Sequence, residues 1–169
     1  MKPMNMQRKN TEKRNYNQRI DMIREFKDTD INEISKIWLD TNLKAHNFIS
    51  SEYWQNHFEA VKDMLLQAEL YVYEKANRIQ GFVGLDNNYI AGIFVCAEYQ
   101  SNGIGKQLLD YVKTIKPELS LHVYKKNTRA VKFYQRADFR ISAENIDEDT
   151  NEAEYEMIWQ KQSELFIGE

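Results

Sequence analysis

The segment from Tyr89 to Tyr124 constrains the fold more than any other part of this 169-residue chain. It reads as a strand, "YIAGIFV", a turn holding Gly103 and Gly105, a helix, a break at Pro117 and a second strand, "LSLHVY". Ile104, Leu108, Leu109 and Val112 recur at helical spacing, whereas Leu119, Leu121 and Val123 alternate as strand residues do. Two strands of one sheet joined by such a crossover run parallel, with a right-handed connection. Upstream, Leu70–Glu74, Ile79–Leu85 and Tyr89–Val95 are separated only by the polar turns "KANR" and "DNN", the pattern of an antiparallel meander. One parallel pair is therefore expected inside an otherwise antiparallel sheet. Strands that part at the ends of such a pair leave a slot for an extended ligand.

The flanking elements complete the order. Ile23–Phe26 reads as a first strand. Thr29 or Asp30 caps a helix with Ile31, Ile34, Ile37 and Trp38 on one face. Ser50 or Ser51 caps a second, with Trp54, Phe58, Val61 and Leu65 on one stripe. "NTRAVKFYQRA" is a short helix, and Phe139–Ala143 and Glu154–Trp159 are strands around an acidic loop, "NIDEDTNEA". The sum, β-α-α-β-β-β-α-β-α-β-β, is an α/β (α+β) fold. It predicts a mixed, mostly antiparallel sheet of six to seven strands with a splayed parallel pair and about four helices.

Residues 1–21 carry six Lys or Arg against Glu12 and Asp21, a net +4 in a chain of net −3, which leaves −7 for residues 22–169. That segment lacks apolar periodicity and reads as a disordered or loosely attached tail, with 22–169 as a single domain. The overall acidity does not indicate a nucleic-acid partner, although a basic arm is one conceivable grip. The lone Cys96 excludes an internal disulfide and a cysteine-rich metal site. Neither a membrane-spanning run nor a signal-peptide core is present, so a cytoplasmic protein without a membrane partner is expected.

A glycine turn entering a helix is a phosphate-binding device, because backbone N–H groups and the helix dipole face the anion. Three readings compete. A P-loop needs Ser or Thr after Gly-Lys, and Gln107 follows Gly105-Lys106. A dinucleotide fingerprint needs a third glycine where Leu108 stands. In the third, N–H groups from Asn102 to Lys106 wrap the pyrophosphate of coenzyme A, and glycine permits the close approach.

"Gln100-Ser101-Asn102-Gly103-Ile104-Gly105" resembles the Gln/Arg-x-x-Gly-x-Gly/Ala signature of the GNAT superfamily of N-acetyltransferases. "Asn127-Thr128-Arg129-Ala130-Val131-Lys132-Phe133-Tyr134" is similar to that family's second acetyl-CoA segment. "AHNFIS" and "LHVYKKN" look most like its bacterial YjaB-type branch. The resemblance implies a GNAT-like fold over residues 22–160 and an acetyl-CoA-dependent N-acetyltransferase. It implies direct attack by a primary amine in a ternary complex, with acetyl-CoA as donor and no metal. Phe94 and Val95 would offer backbone groups to the pantetheine arm and acetyl carbonyl. Gln100, Ser101, Asn102, Gly103, Ile104, Gly105 and Lys106 would form the pyrophosphate loop, Asn127 would bond the arm, and Tyr134 would protonate the departing thiolate. Two departures stand out: Asp138-Phe139 where the family has Gly-Phe, and Ala97 where proline is common.

The acceptor amine, small molecule or peptide, has no recognisable code, and a homodimer is compatible with the sequence. His46, in the loop between the first two helices, is the candidate base or substrate contact. His122 reads as a solvated or sheet-face residue, and His57 as surface. Lys125, Lys126, Lys132 and Arg136 read as a solvated face, with Arg129 open to the cofactor. Tyr53, Trp54, Tyr71, Tyr73 and Tyr89 either wall an acceptor pocket or belong to the core. An acyl-CoA-binding module without catalysis is the alternative, and thiol release with an amine separates the two.

Overall fold

The computed structural model describes residues 22–163, so the basic segment 1–21 lies outside the described residues. Its strands are β1 (Ile23–Glu25), β2 (Glu69–Lys75), β3 (Arg78–Asp86), β4 (Tyr89–Val95), β5 (Glu118–Tyr124), β6 (Arg140–Asp147) and β7 (Glu152–Gln160). Its α-helices are α1 (Ile31–Ala45), α2 (Ser51–Leu65), α3 (Ile104–Ile115) and α4 (Thr128–Arg136). The strands form one sheet in the order β1-β2-β3-β4-β5-β7-β6, in which only β4 and β5 run parallel. This is the mixed sheet the element order predicts.

Alternation divides the apolar residues between two cores. On one face α1 and α2 bury Ile34, Ile37, Trp38 and Trp54 against Val72 and Phe82. On the other, α3 and α4 bury Leu108, Leu109, Val112 and Val131 against Val83, Leu121 and Met157. Each such aliphatic side chain contributes about 1.5–3 kcal/mol when fully buried. The sheet is thus clamped from both sides, and the crossover helix α3 is fixed over β3 and β4, which sets where its glycine turn lies.

One local expectation holds in position and another is corrected. Asp30 is the N-cap residue of α1, but its carboxylate makes no cap bond and accepts from Arg24 at 2.8 and 3.1 Å and from the Lys27 N–H at 2.9 Å. The "NIDEDTNEA" segment is mostly strand: Asn145, Ile146 and Asp147 pair with Glu154, Ala153 and Glu152, leaving a tight turn closed by Asn151 N–H to Asp147 C=O at 2.7 Å. β6 is largely exposed and β7 mostly half-buried, so the hairpin carries little of the apolar alternation that marks a strand.

Candidate active site

The slot begins with a bulge. Leu85 lies opposite Ile90 and Gly84 opposite Gly92, so Ala91 is left over in β4. An extra residue bends its strand and sharpens the twist. The β4–β5 pairing stops there, with only Tyr89–Ser120 and Ile90–Leu121 in register. Beyond Ile90 the strands part around a cavity of about 1080 Å³. That is the upper end of ligand clefts, the size an extended molecule needs.

The bulge also decides which backbone groups face the slot. Cys96 N–H donates to Gln80 C=O at 2.9 Å while Val95 lies opposite Gly81. In this phase of an antiparallel ladder Phe94 is bonded to β3, and the N–H and C=O of Ile93 and Val95 turn toward the slot. The Phe94 ring stacks on Phe82 in the opposite core, centroids 4.9 Å apart. The backbone that faces the slot is therefore that of Ile93 and Val95, whereas Phe94, which the resemblance put beside Val95, is bonded to β3. Gly92 within a strand is the sequence signal for this bulge.

Gly103 and Gly105 serve different ends. Gly103 is the N-cap of α3 at φ +79°, a left-handed conformation, and no side chain caps this helix. The N–H groups of Ile104, Gly105 and Lys106 thus lack intrahelical partners. A Cβ on Gly105 would meet only the Phe133 ring, at 3.5 Å, and Val95 Cγ2, at 3.8 Å. The protein leaves room for a methyl there. Gln100 braces the loop by donating Nε2 to Val95 C=O at 3.0 Å, and Arg129 bonds Gln100 Oε1 at 3.2 Å and Ser101 Oγ at 3.1 Å. Asn102 folds onto the carbonyls of Tyr99 and Gln100, off the main cavity. Lys106 lines the cavity and pairs with Asp110 at 2.6 Å. Lys125 and Lys126 pair with Glu144 and Glu152, as solvated residues would.

α4 supplies Asn127 and Tyr134 to the same cavity. Asn127 is its N-cap, accepting from Ala130 N–H at 3.3 Å. Tyr134 is buried, and burial, with Tyr89 nearby, holds its phenol well above the ordinary value, so it is protonated at neutral pH. The helix ends with Asp138 at φ +67°, the left-handed position where glycine is the usual residue.

Across the sheet, Tyr89 OH lies 2.9 Å from His122 Nδ1, and His122 Nε2 lies 3.9 Å from Glu156. The parallel register brings Tyr89 beside β5, and β7 brings Glu156 opposite His122. Nothing in the sequence pattern pairs these three. His46 has both ring nitrogens engaged, Nδ1 with Asn42 Oδ1 at 3.0 Å and Nε2 with Asn127 Nδ2 at 3.2 Å. Burial lowers its pKa to about 4, and no lone pair is left for an incoming amine. Tyr71 and Tyr73 belong to the core beneath α3, whereas Tyr53 and Trp54 lie on the His46 side. Among the described residues no helix is long and apolar enough to cross a membrane, and no group of three His, Cys, Asp or Glu side chains is placed to hold a metal ion.

A sheet splayed by a bulge, with an uncapped glycine turn over the gap, suits an acyl-CoA-dependent transferase, and the chain belongs to the GNAT family of acetyltransferases. The sequence model of the acetyltransferase (GNAT) domain matches residues 31–159. The chain is 36% identical over 122 residues to the peptidyl-lysine N-acetyltransferase YiaC of Escherichia coli K12, covering 71% of this chain and 84% of that protein. Its fold is similar to the solution structure of apo-form YjaB from Escherichia coli, with a TM-score of 0.73 and 24% identity, covering 80% of this chain and 95% of that one. It is also similar to yncA, a putative acetyltransferase from Salmonella typhimurium solved with its cofactor acetyl-CoA (TM-score 0.59, 16% identity, 83% and 94% covered). The chain is accordingly an N-acetyltransferase with acetyl-CoA as its donor.

Proposed function

We propose that this protein transfers an acetyl group to the Nε of a peptidyl lysine by direct attack in a ternary complex. The observation that carries the reading is Tyr134, a buried, protonated phenol at the open end of a splayed β4–β5 pair, with Tyr89 and His122 on the other side of the sheet. The name of the relative YiaC supports the lysine acceptor. Acetyl-CoA, when bound, supplies the acetyl group as a thioester.

The chain's own residues do the rest. The N–H groups of Ile104, Gly105 and Lys106 hold the diphosphate, and the slot edges of Ile93 and Val95 hold the arm. A slot-facing N–H also stabilises charge developing on the carbonyl oxygen, an effect worth about 3–4 kcal/mol per donor in other acyl transfers. As the N–C bond forms and the C–S bond breaks, Tyr134 gives its proton to the sulfur. The first proton of the lysine ammonium goes to Tyr89, whose own proton passes to His122 Nδ1, and Glu156 balances the imidazolium. The second leaves nitrogen for solvent as the C–S bond breaks, His122 releases its proton to solvent, and Tyr134 regains one from solvent. A cytoplasmic location, where acetyl-CoA is available, belongs to the same proposal.

The test is release of free thiol from acetyl-CoA in the presence of lysyl peptides, with mass spectrometry of the product. Peptide-dependent release and a 42 Da gain on lysine, roughly the mass of an acetyl replacing hydrogen, are expected for Nε attack as general base catalysis describes it. Binding of acetyl-CoA with no release for any amine would favour the non-catalytic binding module.

A further inference from the structure

The hydrogen bonds around His46 form a chain in which each donor and acceptor is set by the one before. Asn42, buried in α1, donates Nδ2 to the Trp38 carbonyl at 2.8 Å, which turns its Oδ1 toward the ring. That oxygen lies 3.0 Å from His46 Nδ1, so the network assigns the proton to Nδ1. Nε2 is then an acceptor, 3.2 Å from Asn127 Nδ2. Asn127 Oδ1 is left to accept from Ala130 N–H, in the first turn of α4. Reversing any link would set two donors or two acceptors face to face.

Packing holds the ring in this pose. Trp54 stacks on it at 5.3 Å between centroids, and Tyr124 and Phe48 meet it edge-on at 5.1 and 5.7 Å. The chain of bonds therefore runs from the interior of α1, through the α1–α2 loop, to the N-terminus of the helix that carries Tyr134. Asn127 Nδ2 has two hydrogens. With one given to His46 and Oδ1 given to Ala130, the direction of the other is fixed, on a residue that lines the acetyl-CoA cavity.

We infer that His46 is a positioning residue for the donor side of the site. It holds Asn127 and the first turn of α4 against α1, and so ties acetyl-CoA affinity to the α1–α2 loop. This rests on the reading that the cavity holds acetyl-CoA. A histidine beside an active site invites the role of base; here the ring is a neutral strut, and its effect on the reaction passes through Asn127.

A double-mutant cycle tests it on the full chain by calorimetric titration with acetyl-CoA. His46→Ala and Asn127→Ala each weaken binding about 5- to 10-fold, the loss of one hydrogen bond at an ordered site. The double variant is within about twofold of Asn127→Ala alone, because the first substitution acts through the second residue. Factors that multiply in the double variant overturn the proposal, as does wild-type affinity in His46→Ala. Should the wild-type chain take up no acetyl-CoA, the donor reading falls, and the ring proton then decides the positioning role. At pH 7 long-range ¹⁵N NMR of the wild-type chain, assigned by elimination with His57→Ala and His122→Gln, finds His46 protonated on Nδ1 only. An Nε2–H tautomer, or a charged ring, overturns the proposal in that case.

Discussion

Replacing Gly105 by alanine tests how much space the glycine turn needs. The new methyl meets its nearest atoms, in the Phe133 ring, at 3.5 and 3.7 Å, ordinary contact distances. Alanine is favoured over glycine within a helix by up to about 1 kcal/mol. The ligand-free variant should therefore unfold at the wild-type temperature or up to roughly 4 °C above it. Alanine is also one of the two residues that the Gln/Arg-x-x-Gly-x-Gly/Ala signature takes at this position, so the N–H groups of Ile104, Gly105 and Lys106 should stay open to the diphosphate. The dissociation constant for acetyl-CoA should then remain within about threefold of wild type, under ~0.7 kcal/mol. Gly103→Ala behaves oppositely in stability, because φ +79° costs a residue with a Cβ about 1–2 kcal/mol. Scanning calorimetry and calorimetric titration read the two quantities on the same samples. A Gly105→Ala chain that binds acetyl-CoA more than about tenfold more weakly would refute a diphosphate seated clear of that Cβ, and one that melts well below wild type would refute the argument from space.

Tyr134→Phe should lower kcat at least about 100-fold while acetyl-CoA affinity stays within twofold, measured by thiol release and titration; unchanged kcat removes its role as acid. His122→Gln should lower kcat at pH 7 by about 10- to 100-fold and recover toward wild type near pH 10, where roughly a third of lysine is neutral unaided. A deficit that persists at pH 10 argues against proton transfer. Asp138→Gly should raise stability by about 1 kcal/mol, or roughly 2–4 °C in Tm, by relieving a left-handed non-glycine residue. Folded His46 stays neutral down to about pH 4, whereas an unfolded histidine titrates near 6.5. The unfolded chain takes up that proton first, so the stability tied to His46 is complete above about pH 6.5 and falls as pH drops toward 4. The difference in melting temperature between wild type and His46→Ala should shrink over that interval, and a constant difference would contradict the buried neutral ring.

What the sequence discloses depends on range. Elements with a strong period were legible almost to the residue: Tyr89–Val95 is β4 as expected, and the helix after the glycine turn ends one residue beyond the anticipated Thr114. The glycine turn and the α4 segment were legible as motifs because each lies within a few adjacent residues. The Asp138 departure could be read as a left-handed position because glycine is the usual residue there. Contacts set by register were not legible. Tyr89 meets His122 only once the crossover fixes β4 against β5, and His46 meets Asn127 across 81 positions of sequence. Phe94 was placed at the slot beside Val95 by the family resemblance, and which of two adjacent backbones faces the slot depends on the extra Ala91, a matter of pairing with β3.

That extra residue acts as a spacer outside the alternation. Ile90 faces the α3–α4 core, and past Ala91 the same face is taken by Ile93 and Val95, while Phe94 keeps to the α1–α2 side. β3 alternates without interruption opposite them, so removing Ala91 would leave Gly92, Ile93, Phe94 and Val95 against the same partners and on the same faces. What would go is the local bend and added twist by which β4 leaves β5. The width of the donor slot is thus separable from the identity of its walls: one residue sets the first, and the pairing with β3 sets the second.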